Sequence, residues 1–103
     1  MSVIFHVLKE EFERLQETEQ AYSKAIAGMP RGAPRVQQRR GKEYLYLQHR
    51  EGKRVVHDYV GPQNSEKAKN ILEQVAQRKR YEKLLKDTKN ALKEVRKVLR
   101  GKI

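Results

Sequence analysis

Apolar residues near the start of the chain recur at alternating steps of three and four: Phe5, Leu8, Phe12, Leu15, Tyr22 and Ile26, with Glu19 at the one polar place. That period gathers them into one stripe of an α-helix. The spacing predicts a helix over 3–27, stopped by Gly28 and closed by Pro30. A second helical pattern follows "GPQNS". Asn64 or Ser65 can cap it, and Glu66 suits the positive end of the helix dipole. It predicts a helix over 66–99, with no glycine or proline before Gly101. Ile71, Leu72 and Val75 make one apolar cluster, and Tyr81, Leu85, Thr88, Leu92, Val95 and Leu99 make a seam. "QRKR", residues 77–80, separates the two, as a solvated stretch or as a basic belt for phosphates. Neither helix can hide its stripe alone. Each must pack on the other, on the intervening segment or on another chain.

Between them the period changes to two. In "EYLYLQH" side chains alternate, and "RVVHDYV" is β-branched and aromatic, so both read as strands. The connection "REGK" sets their register. A three-residue loop, with Arg50-Glu51 in a type I turn and Gly52 left-handed, avoids positive φ at Glu51. It pairs His49 with Lys53, Leu47 with Val55 and Leu45 with His57. One face then carries Leu45, Leu47, Val55 and Tyr59; the other carries Tyr44, Tyr46, Gln48, Arg54, Val56 and Val60. Upstream, "RVQQRRGKE" supplies a third strand turning at Gly41, because a lone hairpin is marginal in water. The expected class is α+β: a long antiparallel helix pair with an inserted three-stranded antiparallel β-meander. It forms one domain over 1–103, in segments 1–28, 29–62 and 63–103.

Composition narrows the function. The 24 Lys+Arg outweigh the 13 Asp+Glu, for a net charge of +11. The excess is uneven: −2 over residues 1–30, +5 over 31–65 and +8 over 66–103. Such a field favours polyanionic partners, although an acidic first helix beside a basic last one neutralises part of it internally. Cysteine is absent, which removes disulfides, thiolate metal sites and cysteine catalysis. No apolar run approaches the roughly 18 residues of a membrane span. The start, "MSVIFHVLKEEFERL", lacks the basic region of a secretion signal. A cytoplasmic protein without membrane contact is expected.

Catalysis finds little support. His49 and His57 stand on neighbouring strands, with Asp58 expected on the opposite face, short of the three or four convergent ligands that a metal needs. Tyr46 or Tyr59 as a nucleophile would need an activating cluster. No phosphate-binding glycine loop or Ser/His/Asp arrangement is present. The expectation is a non-enzyme with no metal, no cofactor and no small-molecule substrate.

Binding is better marked. "PRGAPR", residues 30–35, reads as a Pro/Gly linker. It also resembles the core of an AT-hook, with Ala33 where the second arginine would stand, and so offers a basic arm beside the sheet. The predicted interface comprises Arg31, Arg35, Arg39, Arg40, Lys42, Lys53 and Arg54 for phosphates. Tyr44, Tyr46 and Gln48 would serve bases. The competing use of Tyr44 and Tyr46 is to cover the helices. The run Gly41, Tyr44, Tyr46, Leu47, Gln48, then Gly52-Lys53, then Tyr59-Val60-Gly61-Pro62 resembles a family of short archaeal and bacterial proteins of uncharacterised function. The match covers about residues 29–62, and it supports the architecture without implying an activity. More loosely, the segment is similar to the small basic sheets of integrases and transposases, which lay strands against DNA. The expected function is non-catalytic nucleic-acid binding, DNA before RNA, as a homodimer, for instance as a small regulator or mobile-element accessory factor. The rival is a helical adaptor, antitoxin-like, that docks a protein partner through its seams.

Overall fold

The computed structural model describes residues 3–100. Helix α1 spans Val3–Ala27, strands β1, β2 and β3 span Ala33–Arg39, Lys42–Glu51 and Arg54–Pro62, and helix α2 spans Glu66–Arg100. The sheet is an antiparallel meander of order β1-β2-β3. The α+β class, both helices and all three strands are as the sequence periods predict. Among the described residues no helix is long and apolar enough to cross a membrane.

The chain forms two compact units, and α2 contributes to both: one is Met29–Lys79, the other α1 with α2 from Arg80 onward. In the first, Leu45, Leu47 and Val60 from the sheet pack with Ala68 and Val75 of α2, joined by Ile71 and Leu72. The helical spacing 68, 71, 72, 75 puts one stripe of α2 on one sheet face. Leu45 is 1% exposed, and each such buried leucine contributes about 1.5–3 kcal/mol. Ser65 caps α2: its Oγ accepts the Ala68 N–H at 3.2 Å and donates to the Pro62 carbonyl at 2.7 Å. Arg78, within "QRKR", donates to the Met29 carbonyl at 2.9 Å.

In the helical unit the seams are as predicted. Leu15, Thr88 and Leu92 are buried, and the remaining seam positions are half-buried. Tyr22 meets Tyr81 with ring centroids 5.6 Å apart, and the Arg96 guanidinium lies 5.6 Å from the Phe12 ring centre. Rising along α1 therefore means falling along α2, so this part of the pair is antiparallel. Thr88 satisfies its buried hydroxyl on the Leu84 carbonyl at 2.8 Å. On α1, Glu11 accepts from Arg14, which holds its carboxyl below the ordinary range.

The register of β2 with β3 differs from the sequence expectation by three residues. Glu51 pairs with Arg54, His49 with Val56, Leu47 with Asp58, and Tyr46 with Tyr59. The connection is a two-residue turn of Gly52-Lys53 rather than a three-residue loop. Gly52, at φ 62, occupies the first central place, where a type II′ turn demands positive φ and glycine supplies it without strain. An odd shift inverts a strand's faces. Val55 and Tyr59 therefore leave the helix-facing side. Val56 takes their place there opposite His49, and Val60 joins the core through a bulge beside Leu45/Tyr46. Arg54 moves away from the Tyr44 face, and Asp58 joins the side of His49, leaving His57 on the other.

Candidate nucleic-acid interface

Strand pleating sorts the charges of the sheet. Residues paired across antiparallel strands share a face, and neighbours along a strand alternate. The helix-facing side includes Leu45, Leu47, Val56 and all the strand carboxylates: Glu43, Glu51 and Asp58. The opposite side carries Arg35, Gln37 and Arg39 from β1, then Lys42, Tyr44, Tyr46, Gln48 and Arg50 from β2, then Val55, His57 and Tyr59 from β3. It holds no carboxylate. This open face is cationic and aromatic along its length.

The carboxylates are occupied on their own side. Glu51 receives Arg31 at 3.6 Å and His49 at 3.3 Å, and the far nitrogen of His49 lies 3.4 Å from Asp58. The Glu43 carboxylate accepts from Gln38 at 3.3 Å. By contrast, none of the ion pairs among the described residues involves Arg39, Arg40 or Lys42. Among these residues no three metal-ligating groups converge.

The β1–β2 turn concentrates the free cations. Arg40 and Gly41 both have positive φ, 53 and 78, the signature of a tight type I′ turn. Arginine is an uncommon residue there, since its Cβ crowds the backbone in the left-handed region. Beside this turn a surface hollow of about 500 Å³ is lined by Arg39, Arg40, Lys42, Tyr44, Tyr46 and Tyr59. Tyr59 stands against Tyr46 at 5.3 Å and Tyr44 at 6.2 Å between ring centroids. Farther along, Arg35 donates from Nε to Gln48 Oε1 at 3.2 Å and from Nη1 to its neighbour's carbonyl, Pro34 O, at 3.3 Å.

Of the predicted interface, Arg35, Arg39, Arg40, Lys42, Tyr44, Tyr46 and Gln48 come together on this face or its turn. Arg31, Lys53 and Arg54 do not: Arg31 bonds to Glu51, Lys53 sits in the turn at the other end of β2, and Arg54 pairs opposite Glu51. The linker is no loose arm either. Ala33, Pro34 and Arg35 belong to β1, and Gly32, at φ 120, passes so close to β2 that a Cβ would lie 3.0 Å from the Gln48 carbonyl. Sequence reasoning placed Tyr59 on the face of Leu45 and Leu47, away from Tyr44 and Tyr46, and left Gln37 and His57 out of the interface. For Tyr59 and His57 the missed signal was Gly52 as the first residue of a two-residue turn.

No curated protein and no solved structure shows a significant match to the chain. One family model does match. It covers residues 8–70, which include nearly all of α1, the whole sheet and the start of α2. The chain therefore belongs to DUF6788, a family described as a domain of unknown function.

Proposed function

We propose that the chain is a non-catalytic nucleic-acid-binding protein, DNA being its first-choice ligand, and that the open face of the sheet is its contact surface. The observation that carries this reading is the sorting of charge by strand register. Arg35, Arg39, Lys42 and Arg50 share a face that holds no carboxylate, with Arg40 in the adjoining turn. Phosphates would meet these cations, and tyrosine and glutamine would meet bases. A role as a cytoplasmic regulator or mobile-element accessory factor fits the looser similarity to integrase sheets. Titration of wild type and the Arg39→Ala/Arg40→Ala variant against duplex DNA at several salt concentrations tests it. About five phosphate contacts give a slope near −4 to −5 in log affinity against log salt, which the variant should flatten by up to about two. Weak binding of equal slope by both proteins would defeat the reading.

Self-association belongs to the same proposal. Leu84, Ala91 and Val98 repeat every seven residues on α2 beside its buried seam, and Leu84 and Val98 are 42% and 47% exposed. A second heptad stripe of this kind suits a second copy in a symmetric dimer. The adaptor reading uses the same stripe, with exposed Val3, Ile4 and Val7 of α1, for a different protein. It predicts that the arginine variant leaves partner binding intact.

A further inference from the structure

We propose that the open sheet face takes unpaired bases of single-stranded nucleic acid, stacked on Tyr46 and Tyr59, in preference to a closed duplex. The inference rests on the nucleic-acid reading above and deepens it. Its starting point is an aromatic cluster on an open face. Tyr59 is 57% exposed although it lies at the centre of a ring group with Tyr44 and Tyr46. The core of the sheet lies on its other face, so these rings are not there to hold α2. A π-surface left open in this way suits a flat ligand that covers it.

The surroundings define that ligand. The hollow is lined by Tyr44, Tyr46 and Tyr59 together with Arg39, Arg40 and Lys42, so one depression offers stacking and anion contacts together. A nucleotide carries both features: a planar base and a phosphate. In a duplex the base faces are already stacked inside, and a protein meets only edges and backbone. Tyrosine rings used as platforms therefore gain most from bases that are splayed out. Gln48 extends the surface. Arg35 occupies its Oε1, which leaves the amide nitrogen to donate to a base edge.

The test uses the full chain, whose five tyrosines and no tryptophan make tyrosine emission a direct reporter. Labelled oligo-dT, oligo-rU and a duplex of equal length are titrated by anisotropy at one salt concentration, with circular dichroism confirming the fold of each variant. The expected result is at least about tenfold tighter binding of a single strand than of duplex, with tyrosine emission quenched at saturation. Tyr46→Ala and Tyr59→Ala should each weaken single-strand binding about 5- to 150-fold, the range for loss of a base–aromatic stack. Duplex binding should stay within about twofold, and Tyr59→Phe should keep most of the affinity because the ring remains. The dT and rU arms tell DNA from RNA. Duplex binding as tight as single-strand binding, or a single-strand preference that survives both alanine variants, overturns the stacking proposal. If Arg39→Ala/Arg40→Ala still weakens binding in that case, the sheet interface stands without it. If no nucleic acid binds in an arginine-dependent way, the underlying reading fails first.

Discussion

Leu47 and Asp58 lie opposite each other across β2 and β3, and this pairing decides on which side of the sheet the side chains of β3 from Arg54 to Tyr59 fall. It sends Arg54 to the carboxylate side while Arg39 stays on the open one. Two arginines of equal charge in the two outer strands of the sheet thus face opposite ways.

That contrast gives the first prediction. Arg39→Ala should reduce the salt slope of duplex binding by about one, the loss of one phosphate contact. Arg54→Ala removes the same net charge but should change the slope by less than half as much. Equal effects in parallel salt titrations would mean that total charge, and not the face, governs binding.

Arg40 supplies a prediction in which stability and affinity move in opposite directions. Its left-handed backbone, φ 53, is one that glycine adopts without steric cost. Arg40→Gly should raise stability by about 0.5–1 kcal/mol in urea denaturation. The same change should weaken nucleic-acid binding, because a cation leaves the lining of the hollow.

At the other turn the sign reverses. Gly52→Val forces a β-branched residue into φ 62, and it should cost about 1–2 kcal/mol. A Cβ at Gly52 meets no atom within 4 Å, so the loss measures backbone strain alone. Gly52→Asn should recover part of it, since asparagine tolerates this region.

The helical unit separates core from surface. Leu92 is 3% exposed, and Leu92→Asp should cost more than about 3 kcal/mol by placing a charge in the seam. Val98 is 47% exposed, so Val98→Asp should alter stability by less than about 0.5 kcal/mol. Light scattering should nevertheless show it shifting the protein toward monomer, if the 84-91-98 stripe is the dimer contact.

The helices were legible because their stripes extend over many turns, which averages out single polar interruptions such as Glu19 or Thr88. The strands were legible from the change of period around Tyr44-Leu45-Tyr46-Leu47. Their register was not. Gly52 satisfies two turn geometries almost equally well, and local sequence does not choose between them. The choice is made at a distance: Val60 must reach Ala68 and Val75 of α2 to complete the core. That requirement turns Tyr59 outward. The candidate site was therefore legible on β1 and β2, where alternation alone fixes the faces, and illegible on β3, where tertiary burial does.

The meander's order has a kinetic consequence. Each strand pairs with its neighbour in sequence, and both connections are turns of two residues. Zipping either hairpin closes almost no loop, so the entropy lost before the first contacts form is small. Sheets usually fold slowly because their partners are distant in sequence. This one escapes that delay, and hairpins of this kind form in about 1–10 μs. The slow event is left to α2, whose Ala68 and Val75 must arrive before Leu45 and Leu47 are sheltered from water.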